Sequence, residues 1–123
     1  MSEQTKQQIT AWLNQAPKIQ GALMCGVRFA DETFTSDSDS QDFSVGAIEQ
    51  AWRSIADTFR VLAAQQLPPA RLTWTHERAV LHCARRADGA ILGVVIMKQQ
   101  ADADAELVKR LLEEFQSLQV ANG

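Results

Sequence analysis

The chain is poor in the residues that build chemical sites. It holds two cysteines, Cys25 and Cys83, and two histidines, His76 and His82. Two cysteines make no disulfide framework, and so few of them fit the reducing cytoplasm. Six glycines are scattered along 123 residues, with no glycine-rich phosphate loop and no G-x-G-x-x-G pattern, which excludes the common nucleotide-binding loops. Lysine and arginine are outnumbered 12 to 15 by acidic residues, for a net charge of −3. That balance argues against nucleic acid or an anionic membrane surface as the main partner. The longest apolar stretch, residues 90–97, is broken by Gly93 and is far shorter than the ~20 residues needed to span a bilayer. The first eight residues are polar and lack the apolar segment of a secretory signal. A cytoplasmic protein without membrane insertion is expected.

What is present is enough apolar material for one core. Hydrophobic residues make up 46% of the chain, a globular share that excludes bulk disorder. A chain of this length buries roughly two-thirds of its unfolded surface and needs no staples. Residues 1–123 are expected to form a single domain, with flexible ends at about 1–4 and 119–123.

Periodicity divides the chain into eight elements. Ile9, Trp12, Leu13 and Ala16 recur at helical spacing over residues 5–16, and Pro17 stops the run. Residues 21–30 alternate: Leu23, Cys25, Val27 and Phe29 point one way, and Met24, Gly26 and Arg28 the other. A turn at Asp31-Glu32 leads to a short second strand, Thr33-Phe34-Thr35. The polar, acidic residues 36–42 read as a loop. Ser44 then suits the N-cap of a long helix to about Gln66, with Val45, Ile48, Trp52, Ile55, Phe59 and Leu62 as its stripe and Pro68-Pro69 as its stop.

Three strands follow, over residues 72–76, 79–86 and 91–97. Asp88-Gly89 is a two-residue hairpin signal. With Glu77-Arg78 as the turn joining the first two strands and Asp88-Gly89 the last two, Trp74 falls opposite Leu81 and Leu81 opposite Ile96, with Leu72 facing Cys83 and Cys83 facing Val94, as one apolar face. Ile91, Val95 and Met97 make the last strand apolar on its other face as well, so it requires cover on both sides. A closing helix from Asp102 or Asp104 buries Leu107, Val108, Leu111, Leu112, Phe115 and Leu118 and exposes Lys109, Arg110, Glu113 and Glu114. The order is α-β-β-α-β-β-β-α. The fold class predicted is α/β (α+β), a five-stranded antiparallel sheet sandwiched by three helices.

No residue pattern assembles a catalytic, cofactor or metal site. Cys25 and Cys83 fall on strand positions facing the apolar side, where a thiol is structural rather than nucleophilic. His82 stands opposite Thr73 and Val95, and His76 ends its strand; neither has a converging third ligand or a triad partner. A calcium loop starting at Asp37 needs glycine at its sixth position and glutamate at its twelfth, but the chain has Asp42 and Ile48. That segment reads as a solvated acidic loop. Arg85 and Arg86, with Arg71 and Arg78, read as solvated hairpin arginines rather than as an arginine finger aimed at a partner's phosphate.

The combined pattern resembles the Roadblock family, the dynein light chain type, in its stand-alone bacterial form. The resemblance rests on the leading helix 5–16, the small-residue strand Gly21-Ala22-Leu23-Met24-Cys25-Gly26-Val27, the long helix 44–66, the meander 72–97 ending in Gly93-Val94-Val95-Ile96, and the closing helix Glu106-Leu107-Val108-Lys109-Arg110-Leu111-Leu112. It covers residues 5–118. The family often has Asp-Gly in its first hairpin, where this chain has Asp31-Glu32, and the acidic loop 36–42 is unusual for it. The resemblance implies a Roadblock-like fold of profilin-like architecture and a non-enzymatic homodimeric scaffold. It implies pairing through the long helix and the edge strand after it, by way of Trp52, Ala56, Phe59, Ala63, Arg71, Leu72, Thr73, Trp74 and Thr75. It also implies a Ras-like small GTPase, or a motor or polarity complex, as partner. Independently, an edge strand bearing Trp74 is an aggregation liability that pairing with a copy removes, and Ala51, Ala56, Ala63 and Ala64 let a second helix approach. A small-ligand sensor module of profilin- or PAS-like fold is the alternative, and it requires a pocket between sheet and helices.

Overall fold

A computed structural model describes residues 3–16, 22–37, 45–66, 71–75, 77, 79–98 and 105–118. The predicted helix stops at the prolines, the Ser44 cap, His76, Arg78 and residues 38–42 of the acidic loop lie outside these residues. The observed order is α1 (Glu3–Gln15), β1 (Ala22–Arg28), β2 (Phe34–Asp37), α2 (Val45–Ala64), β3 (Arg71–Thr75), β4 (Ala79–Arg85), β5 (Ile91–Met97) and α3 (Ala105–Ser117). Residues 3 and 4, expected in a flexible end, form the first turn of α1.

The five strands form one antiparallel sheet in the order β2-β1-β5-β4-β3. The doubly apolar strand, β5, therefore lies in the middle. Its two faces serve two cores. Val94, Ile96 and Leu92 pack under α1 and α3 with Ile9, Val27, Phe29, Val108, Leu111, Leu112 and Phe115. Ile91 joins Met24, Cys83 and the α2 residues Trp52, Ile55 and Phe59 on the other side. Burying a side chain such as Leu92 or Phe115 completely contributes about 1.5–3 kcal/mol, and both are 0% exposed.

Both hairpins close on the same three-residue turn. In the first, Phe29 N–H donates to the Thr33 carbonyl at 2.8 Å and Glu32 N–H to the Phe29 carbonyl at 3.0 Å, with Glu32 left-handed at φ 75°. In the second, Arg86 N–H donates to the Ala90 carbonyl at 2.9 Å and Gly89 N–H to the Arg86 carbonyl at 3.0 Å, with Gly89 at φ 93°. The aspartate before each left-handed residue accepts the next backbone N–H but one, from Thr33 (3.1 Å) and from Ala90 (3.0 Å). This is the αL-closed loop next in frequency to the two-residue turn.

That turn corrects the predicted β4–β5 register by one residue. Leu72 faces Cys83 and Trp74 faces Leu81 as expected. Leu81, however, faces Val95 rather than Ile96, Cys83 faces Gly93 rather than Val94, and His82 faces Val94 rather than Val95. A two-residue loop at Asp88-Gly89 would have closed on Ala87 and Ala90. The three-residue loop closes on Arg86 and Ala90 instead, and a one-residue slip exchanges faces. Val94 and Ile96 thereby belong to the α1–α3 side, and Gly93 faces α2.

Gly93 pairs with Gly26 on one side and Cys83 on the other. These small residues leave a trough in the sheet. The Trp52 ring fills it: a Cβ added at Gly93 would stand 2.9 Å from Trp52 Cη2, and Trp52 is 1% exposed.

Candidate interaction surface

Among the described residues a single helix, α2, covers one face of the five-stranded sheet. Trp52, Ile55 and Phe59 cover its middle. Leu72, Trp74, Leu81 and Val95 pack against that core yet stay partly exposed. They form an apolar shoulder reaching the edge strand β3, whose one paired neighbour among the described residues is β4. Val61, on the outer side of α2, is 57% exposed.

The nine residues expected at a dimer interface divide on this surface. Trp52 and Phe59 are taken up by the chain's own core, at 1% and 3% exposure, so neither offers side-chain surface to a second molecule. Sequence periodicity marks a residue as apolar and inward but cannot say which body it packs against. Ala56 is half-buried and Ala63 exposed on α2. Along β3, Arg71, Thr73 and Thr75 are exposed and alternate with half-buried Leu72 and Trp74. Thus seven of the nine retain accessible surface, and five of these form one continuous edge strand.

Arg86 departs from its expected solvated state, and Arg71 stays exposed but hydrogen-bonded. Arg86 is 9% exposed. Its Nε donates to Asp88 Oδ2 at 3.1 Å and its Nη1 to the Phe115 carbonyl at 2.5 Å, with the guanidinium 5.5 Å from the Phe115 ring centre. Arg71 Nε donates to Gln116 Oε1 at 2.8 Å, and Gln116 Nε2 donates to the Arg85 carbonyl at 3.3 Å. The last turn of α3 is therefore tied both to the β4–β5 hairpin and to the edge strand. Arg85 is exposed.

The nucleophile and ligand candidates are dispersed. Cys25 and Cys83 lie in different cores on opposite faces of the sheet. Burial pushes the Cys83 thiol up to about 12, away from reactive thiolate. Burial lowers His82 below its usual range. Among the described residues no three His, Cys, Asp or Glu side chains are grouped to hold a metal ion, and no helix is long and apolar enough to cross a membrane.

One strong ion pair lies away from the shoulder. Lys6 of α1 is paired with Asp31 of the first hairpin, and its ammonium lies 5.8 Å from the Phe29 ring centre. Asp31 also accepts from the Thr33 hydroxyl at 2.6 Å. Hydrogen bonds from Lys6 and then Thr33 hold the Asp31 carboxyl well below the usual carboxylate range.

No family model matches the chain, and no curated protein matches it in sequence. Solved structures do. MglB of Myxococcus xanthus superposes with a TM-score of 0.60 over 100% of this chain and 98% of its own, at 13% identity. MglC of Myxococcus xanthus aligns over 93% of this chain and 98% of its own with a TM-score of 0.48, at 15% identity. The likeness to MglB is one of fold: three helices and a five-stranded antiparallel sheet, traversed end to end.

Proposed function

We propose that the chain is a non-catalytic homodimeric regulator, binding a Ras-like small GTPase through a surface that the dimer completes. The observation that carries the dimer is the β3 edge beside the apolar shoulder. An exposed edge strand whose inward residues are Leu72 and Trp74 is a template for another strand. Antiparallel pairing of β3 with its copy would satisfy the edge and bring the two shoulders together, burying Trp74 without any new fold. Small residues on α2, Ala56 and Ala63, would allow the second helix to close over the junction.

The GTPase rests on the resemblance to the Roadblock family and on the full-length likeness of fold to MglB. With neither a phosphate loop nor a converging catalytic set in its sequence, the chain would meet nucleotide only through a partner. Sedimentation velocity at micromolar concentration tests the dimer, and a stable monomer there overturns it. Pull-down of small GTPases encoded in the same genome, loaded with GDP or a GTP analogue, tests the partner. Equal or absent binding in both nucleotide states counts against it.

The ligand-sensor alternative needs a pocket between sheet and helices. Trp52 on Gly93 and the fully buried Phe115 fill those layers. Among the described residues an open cleft lies at the margin of α2 that faces β1 and β2.

A further inference from the structure

Arg28 occupies a position that the sheet pattern assigns to an apolar side chain. It lies on the α2 face of β1, between Phe34 of β2 and Ile91 of β5 in register. Phe34 and Ile91 both belong to the α2 core. The Arg28 side chain is only 16% exposed, and its one ion pair among the described residues is with Glu32, at 4.0 Å, whose own side chain is 83% exposed. It donates no side-chain hydrogen bond among those residues.

Arg86 of the same chain gives the contrast. That guanidinium, on a side chain 9% exposed against 16% for Arg28, is held by a carboxylate at 3.1 Å and a carbonyl at 2.5 Å. A guanidinium removed from water without such partners is costly. Arg28 lines a cleft of about 280 Å³, together with Phe34, Trp52, Ala56 and Arg53. We infer that this cleft is a binding site for a small molecule bearing a carboxylate beside an apolar or aromatic body, with Arg28 as the anion's partner.

Charge and shape select the ligand class. The planar fork of a guanidinium matches a carboxylate in two parallel hydrogen bonds. The rim also carries Glu32, Glu49 and Asp57. Glu49 is engaged by Arg53 at 3.4 Å and Asp57 by Arg60 at 2.7 Å, both on the exposed side of α2. These acidic groups penalise a phosphate dianion more than a monocarboxylate. Phe34 and Ala56, both half-buried, supply the apolar part of the wall. The volume lies just below the range of ordinary ligand sites, ~300–1,000 Å³, so the ligand is of amino-acid size. The cleft is at the β1–β2 end of the sheet, opposite the β3 edge; it shares Ala56 with the proposed dimer surface, and its anion partner, Arg28, lies outside that surface.

Titration of the isotope-labelled chain with phenylacetate tests this, read from the Trp52 indole and Arg28 Nε–H resonances. Phenethylamine and inorganic phosphate serve as the other arms. Saturable shifts of both resonances with phenylacetate, much weaker with the other two, are expected. Arg28→Gln should weaken binding about tenfold or more, as loss of a charge-assisted pair does, while Arg85→Gln, at an exposed position on β4 outside the cleft, should leave it within about twofold. Arg28→Lys keeps the charge and loses the fork, and should fall between. Absence of a saturable shift in the wild-type chain overturns the site without recourse to any variant. So does equal response to phenethylamine, or undiminished affinity in a folded Arg28→Gln chain.

Discussion

The Arg86 Nη1 donates to the backbone carbonyl of Phe115, 29 residues away in sequence, at 2.5 Å. A helix leaves its last carbonyls without partners, and a cation there also meets the negative end of the helix dipole. Arg86 supplies both while its Nε holds Asp88 in the turn. Removing it leaves the Phe115 carbonyl with only the long bond from Leu118 N–H at 3.4 Å, and Asp88 with only the Ala90 N–H at 3.0 Å and no cation. Arg86→Ala should cost roughly 2–4 kcal/mol in urea unfolding. Arg86→Lys should recover only part of this, because one ammonium cannot reproduce the fork.

The Trp52 seat on Gly93 is a steric contract. An alanine at 93 brings its Cβ to 2.9 Å from Cη2 of the ring, so Trp52 must move. Gly93→Ala should destabilise by about 1–3 kcal/mol. Trp52→Phe shortens the ring and should make the same alanine cheaper. A double-mutant cycle by thermal unfolding should therefore give a coupling of about 0.5–2 kcal/mol; additive effects would refute the contact.

Glu32 holds the left-handed position that glycine holds in the second hairpin. For a side chain with Cβ that conformation costs roughly 1–2 kcal/mol, partly offset by glycine's greater freedom when unfolded. Its pair with Arg28 is long, at 4.0 Å, with the Glu32 side chain itself 83% exposed, and returns little. Glu32→Gly should raise stability by about 0.5–1 kcal/mol, measured as a higher urea midpoint with an unchanged slope.

The Lys6–Asp31 pair makes a directional statement about acid. Asp31 is depressed in the folded chain below its ordinary value of 3.8. Its contribution is therefore complete above the unfolded value and is lost as pH falls from there through the folded value. Lys6 is raised above 10.5, first by its hydrogen bond to Asp31, so its contribution is complete below that pH and lost above it. Unfolding free energy followed from neutral pH into acid should fall less steeply below about pH 4 in Asp31→Asn than in the wild type.

Cys83 is fully buried with its thiol pushed up to about 12. In the native chain at neutral pH it should resist a disulfide reagent, and labelling should appear only with unfolding. Rapid native labelling of Cys83 would refute its place under α2. Cys83→Ser should destabilise more than Cys83→Ala, since a hydroxyl there needs a partner in an apolar layer.

Much of this architecture was legible from local pattern. The eight elements, their order, the exposed face of α3 and the pairs Leu72–Cys83 and Trp74–Leu81 follow from apolar spacing and turn residues, because period and propensity act over a few neighbours. The resemblance pointed to the fold that the chain shares with MglB. The contacts that define its surfaces were not legible. Asp88-Gly89 signals a turn, but whether two or three residues close it depends on Gly89 adopting φ 93° and on Arg86 being drawn toward Phe115. That choice moved Val94 and Ile96 to the other core and turned Gly93 toward Trp52.

The sequence by itself determined which segments are helix or strand and which faces are apolar, since these are consequences of side-chain periodicity. Only the tertiary structure decided what each apolar or charged side chain meets. Trp52 and Phe59 looked like interface residues and are core. Arg86 looked solvated and is a helix anchor. Arg28, placed by alternation on one side of its strand with Met24 and Gly26, lines a cleft beside α2. Each of those outcomes is set by partners far along the chain, and such partners are chosen by packing and register rather than by any local pattern.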